Sequence, residues 1–188
     1  HKYTGPFISS FISVYPKLTS IKKEFCLARR IYKIYHKRRQ LMEKVKEMLD
    51  RQNIKYTYPD KKGAYYRSKW RKHFASHLTL GEQERIFMLP NNNYSSYLWH
   101  IFSWDKKHYY MLQDANEAFN KLSKKKCIIF HQFSKEVLII DDARDLKAEL
   151  FKPFIDDIYI VDEAFTWSYN TTHENSCGPY YTEAGWTE

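Results

Sequence analysis

The sequence predicts an α+β domain: an antiparallel sheet of about five strands with flanking helices, preceded by a long basic N-terminal helix. Three observations predict it. Short runs of β-branched and aromatic residues recur in the second half, at 127–133, 136–141, 157–161 and 165–170, bounded by turn residues. Apolar residues at spacings of three and four mark helices at 21–52 and 64–78. Strands that succeed one another through hairpins, with short helices between, pair antiparallel.

In order, residues 1–20 read as loop punctuated by Gly5-Pro6 and Pro16, with Thr19 or Ser20 as the cap of the first helix. That helix, over 21–52, places Leu27, Ile31, Ile34, Leu41, Val45 and Met48 on one face, a neighbouring row of Ile21, Phe25, Ala28, Tyr32, Tyr35, Met42 and Leu49 widens it, and most of the remaining positions are Lys or Arg. Tyr58 to Gly63 is turn chemistry, with Pro59 fixing φ and Gly63 allowing positive φ. This sets an expected boundary between an N-terminal segment, 1–62, and a compact domain, 63–188. Tyr66, Trp70, Phe74 and His77 recur along a second helix, and Thr79 begins a short third one that Pro90 ends. Residues 97–104, Tyr-Leu-Trp-His-Ile-Phe-Ser-Trp, read as a buried strand. Asp114 is the expected cap of a helix over 115–123. Residues 127–133 and 136–141 form a hairpin about Ser134-Lys135. In 165–170, Phe165, Trp167 and Tyr169 alternate with Thr166, Ser168 and Asn170, the pattern of a half-buried strand. Residues 171–179 are a loop, after which Tyr180-Tyr181 return to the sheet edge.

Composition narrows the function. The chain has 188 residues, 43% hydrophobic and 28% charged, which excludes a disordered chain. It is 18% aromatic with 16 Tyr, a residue suited to contact surfaces because it buries area and keeps one polar end. The cysteines, Cys26, Cys127 and Cys177, form neither a disulfide framework nor a zinc CxxC pair, and a reduced cytoplasmic setting is expected. No apolar run has the length of a membrane span. Residues 1–78 hold 20 Lys/Arg against 5 Asp/Glu, and residues 79–188 hold 11 against 17, so the net +9 conceals a strong asymmetry. Walker A, GxGxxG and GxSxG patterns are absent and there are five glycines, so no nucleotide or other cofactor is expected.

Residues from about 64 to 181 resemble an uncharacterised family of small proteins from Gram-positive bacteria, a domain of unknown function. The residues that carry it are Tyr97-Leu-Trp-His-Ile-Phe-Ser103, Cys127-Ile-Ile-Phe-His-Gln132, Asp157-Ile-Tyr-Ile-Val-Asp162, Phe165-Thr-Trp-Ser-Tyr-Asn-Thr-Thr-His-Glu174 and Gly178-Pro-Tyr-Tyr181. The resemblance implies a shared fold and brings no activity. The ending also looks like that of small bacterial immunity proteins, an analogy of architecture only.

Candidate site residues gather in the last segment. His173, Glu174 and Cys177 could form a Cys–His site with His173 as base and Glu174 orienting it. They could instead supply zinc ligands, completed by His100 or His131, although neither arrangement has diagnostic spacing and no metal is expected. Three acidic pairs, Asp141-Asp142, Asp156-Asp157 and Asp162-Glu163, sit at strand ends, where polar residues belong in any case. The leading expectation is a non-enzymatic protein-interaction module, similar to an immunity protein, with binding residues Trp167, Tyr169, His173, Glu174, Cys177, Tyr180 and His100 and a protein as partner. One alternative is a nucleic-acid contact through Arg29, Arg30, Lys33, Lys37, Arg38 and Arg39. Another is an enzyme or metal protein with its site in 171–181. No membrane partner is expected, and self-association is left open.

Overall fold

Strand residues alternate between two buried faces, and that alternation sets the layers. Cys127, Ile129, Ile158 and Ile160 belong to one hydrophobic cluster, and Ile128, Phe130, Tyr159 and Val161 to another. A sheet buried on both faces needs cover on both. The computed structural model describes residues 40–59, 61–87, 97–174 and 176–186. The chain divides into two units, His1–Gln40 and Leu41–Glu188, and the second carries the sheet.

The helices of this second unit are α1 (41–51), α2 (Gly63–Phe74), α3 (Leu80–Phe87), α4 (His100–Ser103) and α5 (Leu112–Lys121), with a 3₁₀ turn at Ala148–Phe151. Its strands are β1 (Tyr110–Met111), β2 (Cys127–His131), β3 (Val137–Ile140), β4 (Ile158–Asp162), β5 (Trp167–Asn170) and β6 (Tyr180–Glu183). They form one six-stranded sheet in the order β1-β6-β5-β4-β2-β3, each neighbouring pair antiparallel. Helices α1 and α5 and the 3₁₀ turn cover one face; α2, α3 and α4 cover the other.

The expected α+β class and antiparallel sheet are present, with a sixth strand, the two-residue β1. The β2–β3 hairpin forms with Cys127 opposite Ile140, and its connection runs over 132–136. The α2 face is as read: Tyr66, Trp70 and Phe74 are buried, whereas His77 is exposed and Leu78 takes the next inward position. Thr79 and Glu82 make a reciprocal capping box at α3. The Glu82 carboxylate accepts from the Thr79 N–H at 2.9 Å, and the Thr79 hydroxyl accepts from the Glu82 N–H at 3.3 Å.

Other expectations are corrected by the fold. Residues 97–104 are not a strand: residues 98–99 turn and His100–Ser103 form one turn of helix. Aromatic content suggested a strand, but burial of Leu98, Ile101 and Phe102 at helical spacing against the sheet decides the conformation. Helix α5 begins at Leu112, so Asp114 lies in its first turn rather than at its cap. Gly63 is not the positive-φ residue of its turn; Lys61 is, at φ 53. Gly63 is required because a Cβ there would lie 2.1 Å from the Ser134 carbonyl. Strand β5 is buried on both sides. Ser168 accepts the Trp70 indole N–H at 2.8 Å and donates to Asn170 Oδ1 at 2.6 Å. Strand β6 lies inside the sheet, and β1 forms the edge.

Of the helix expected over 21–52, residues 40–51 are helical, and 21–39 lie outside the described residues. Leu41, Met42, Val45 and Leu49 are in the core with the strands, and the unit that contains the sheet begins at Leu41.

Candidate functional site

Two consecutive aspartates precede β4, and each holds a histidine. The Asp157 side chain is 3% exposed. A carboxylate this buried requires hydrogen-bond donors, and it has three. The Trp99 indole N–H reaches it at 2.8 Å, the His173 backbone N–H at 3.2 Å, and His173 Nδ1 at 2.9 and 3.1 Å to its two oxygens. With Nδ1 donating, Nε2 of the neutral ring is an acceptor. It lies 3.8 Å from a Glu174 oxygen, and the His173 side chain is 36% exposed. The site thus presents a part-exposed imidazole fixed by a buried carboxylate, with its other nitrogen on the side of Glu174.

Aromatic side chains frame it. The Tyr97 ring lies 4.5 Å from His173 and 5.5 Å from His100, and the Trp99 ring is 4.5 Å from His100. Gln132 joins the pieces. Its side-chain oxygen accepts from the Tyr159 hydroxyl at 2.7 Å and the Leu98 N–H at 3.1 Å, and its backbone N–H donates to the Asp157 carbonyl at 3.0 Å. Burial lowers the pKa of His100, opposed by the Glu174 carboxylate and by a hydrogen bond to the Ile86 backbone.

The loop after β5 holds His173 in place. The Thr172 hydroxyl bonds the Glu174 carbonyl at 2.9 Å and the Cys177 carbonyl, and the Cys177 N–H bonds the Glu174 carbonyl at 3.0 Å. Gly178 has φ +101, and a Cβ there would meet Thr172 at 3.0 Å, so only glycine closes this turn without strain.

The second aspartate does different work. Asp156 Oδ1 bonds His131 Nε2 at 2.9 Å and the Asp157 N–H at 3.0 Å, while His131 Nδ1 accepts the Phe133 N–H at 3.2 Å. His131, Asp156 and Asp157 offer ligand atoms within 4.8 Å of one another, a grouping a metal could use by distance alone. The hydrogen bonds argue against it. An imidazole that ligates through Nε2 carries its proton on Nδ1, and that proton would face the Phe133 N–H, donor against donor. Asp157 is also fully engaged by its three donors. His131 and Asp156 therefore read as a structural lock between the ends of β2 and β4.

Of the seven binding residues expected from sequence, five stand on the α4 side. His100 and His173 meet through Tyr97. Glu174 lies beside His173. Cys177 meets the Tyr180 hydroxyl, and Tyr180 packs on Phe102 at 4.9 Å. Trp167 and Tyr169 point to the other face, where both pack on Phe119 of α5. Arg29, Arg30, Lys33, Lys37, Arg38 and Arg39 lie outside the described residues. The sequence reading missed Asp157, Trp99 and Tyr97 as partners of His173. It singled out the Asp156-Asp157 pair as acidic but had no means of assigning histidines to it. Two of the other acidic residues are explained by structure: Asp162 caps the β4–β5 turn through the Thr166 N–H at 2.6 Å, and Asp142 pairs with Arg144.

Cys127 and Cys177 are both free thiols. No helix of the described residues is long and apolar enough to cross a membrane. A search of curated proteins found no match, and a search of solved structures found none. A family does match, over residues 42–181, a span that takes in most of α1, the first five strands, the start of β6 and the two aspartate–histidine pairs. The chain belongs to the family described as Domain of unknown function (DUF4275).

Proposed function

We propose that this domain is a non-enzymatic binding module for a protein partner, with its contact surface at the end of the sheet where His173 stands. The observation that carries the reading is the fixing of a part-exposed imidazole by a buried carboxylate, beside Tyr97 and Glu174. Rigid aromatic and hydrogen-bonding groups, held by a supporting shell, are what binding hot spots are made of. The surface offers acceptors, the His173 Nε2 lone pair and the Glu174 carboxylate, together with an aromatic ring. That combination suits an arginine of the partner, whose guanidinium stacks on rings and donates to carboxylates. An inhibitor of a cognate toxin, in the manner of an immunity protein, is one concrete form.

The test is to capture proteins that co-purify with the full chain and then measure Kd for one of them against the wild type, Tyr97→Ala and Glu174→Lys. The reading expects each change to weaken binding by about tenfold or more, roughly 1.4 kcal/mol, with the circular dichroism spectrum unchanged. Affinities that stay level in both variants would contradict it.

One observation favours a second reading. Residues 1–40 contain ten Lys and Arg against one Glu, and residues 41–188 balance 21 cationic against 21 anionic residues. All of the net +9 thus belongs to the first 40 residues, which supports a contact between that segment and nucleic acid. Binding to random DNA or RNA that weakens steeply with salt, and disappears in a 41–188 fragment, would favour it.

A further inference from the structure

A depression of about 180 Å³ opens between the segment 151–155, which begins at the end of the 3₁₀ turn, and the loop after β5. Phe151, Phe154, Ile155 and Pro179 give it apolar walls. Several polar groups lining it are already engaged within the fold. The Thr171 hydroxyl donates to the Asp156 carbonyl at 2.6 Å and accepts the Ile158 N–H at 3.3 Å. The Thr172 hydroxyl bonds two carbonyls of its own loop. The Tyr169 hydroxyl donates to Asn116 Oδ1 at 2.7 Å.

Three polar groups remain available. Asn116 lines the depression and is 8% exposed, and its Oδ1 accepts from the Tyr169 hydroxyl at 2.7 Å, which leaves its amide N–H groups as the donors it can offer a ligand. An amide nitrogen on this lining is an N–H donor that a ligand acceptor in the depression would meet. Lys152 adds an exposed ammonium to the lining and Glu174 a carboxylate, 48% exposed. The lining therefore carries one charge of each sign above an amide donor and apolar walls.

We propose that this depression binds a free α-amino acid with an apolar side chain. The carboxylate takes the Asn116 amide N–H groups and the Lys152 ammonium. The amino group takes Glu174. The side chain lies on Phe151, Phe154 and Ile155. The volume suits it, since a cavity of about 150 Å³ takes up benzene, and an amino acid such as valine or leucine is only slightly larger. A plain acid leaves Glu174 opposed to it, a plain amine leaves Asn116 and Lys152 without an acceptor, and a residue inside a peptide has neither charge. The depression shares Glu174 with the Tyr97–His173 surface, whereas Asn116 and Lys152 take no part in that surface and test the depression separately.

The test is titration of the full chain with leucine, monitored by NMR chemical shifts, with isovalerate, isoamylamine and N-acetyl-leucine amide as probes lacking one or both charges. Leucine is expected to bind with Kd on the order of 1 mM, and each truncated probe about tenfold more weakly. Asn116→Asp keeps an oxygen for the Tyr169 hydroxyl but turns an anion toward the ligand carboxylate. Lys152→Gln alters only an exposed residue. Each is expected to weaken leucine binding by about fivefold or more, with the spectrum still that of the folded protein. Glu174→Gln is expected to erase the preference for leucine over isovalerate. The proposal is overturned if neither leucine nor valine shifts any resonance at tens of millimolar, or if Asn116→Asp and Lys152→Gln both bind as the wild type does. It is also overturned if the blocked amide binds as well as leucine, because the depression would then receive a residue of a polypeptide.

Discussion

Asp157→Ala removes the acceptor of three hydrogen bonds at once, and the donors are not equal. Trp99 is 2% exposed, so its indole N–H is left in an apolar interior with no water to replace the carboxylate, a loss of about 1–3 kcal/mol. The two N–H groups of His173 are different. With the side chain 36% exposed, they turn to water, and losing their charge-assisted bonds costs roughly 1 kcal/mol together. The sum is about 3 kcal/mol, a large fraction of the 5–15 kcal/mol of a typical domain, and lowers Tm by about 10 °C for a chain of this size. His173→Ala leaves the Trp99 bond in place and costs about 1 kcal/mol or less. Urea unfolding monitored by circular dichroism measures both. A cycle with Trp99→Phe separates the indole bond, and its coupling to Asp157 is expected at about 1–2 kcal/mol. An Asp157→Ala protein within about 0.5 kcal/mol of wild type, or a His173→Ala protein as unstable as Asp157→Ala, would refute the assignment of Asp157 as the buried anchor and His173 as the exposed group it holds.

Stability should also depend on pH through His100. Burial lowers its pKa from 6.5 in the folded state, so the unfolded chain binds the proton more readily. The contribution is complete above about pH 6.5 and is lost as pH falls through and below that value. Unfolding free energy measured at pH 7.5 and pH 5 should drop in the wild type and drop less in His100→Asn; equal slopes would show that His100 is not the cause. Gly178→Ala forces a side chain into φ +101 and against Thr172 at 3.0 Å, and chemical denaturation should show a loss of about 1–2 kcal/mol; a neutral substitution would mean the loop relaxes freely. Leu49→Ala empties a fully buried position of α1 and should cost about 2–5 kcal/mol. By the same argument a 41–188 fragment folds cooperatively and a 63–188 fragment does not, which calorimetry decides.

Much of the sheet was legible because its signals are local. The β2–β3 hairpin and β4 announce themselves as apolar runs with turn residues between, and Thr79 with Glu82 spells out a capping box. Tertiary context decided the rest. Leu98, Trp99, Ile101 and Phe102 read as a strand by composition, but the sheet face needed a short helical cap there. Ser168 and Asn170 looked like the wet side of β5, yet a second helical layer covers them and Trp70 bonds Ser168. The aspartate–histidine pairs were out of reach for a different reason. Asp157 and His173 are sixteen residues apart, and only the antiparallel pairing of β4 with β5 brings the start of one strand beside the loop leaving the other. Periodicity cannot report a contact made by topology.

Two imidazoles held in opposite tautomers by neighbouring aspartates decide what this end of the sheet can bind. The most direct measurement is a long-range ¹H–¹⁵N NMR correlation of the histidine rings at a pH where they are neutral. His173 should show its proton on Nδ1 and a bare Nε2, and His131 its proton on Nε2 and a bare Nδ1. Finding His173 protonated on Nε2 would remove the acceptor on which the proposed contact surface depends. Finding His131 protonated on Nδ1 would free its Nε2 and restore the metal reading of His131, Asp156 and Asp157.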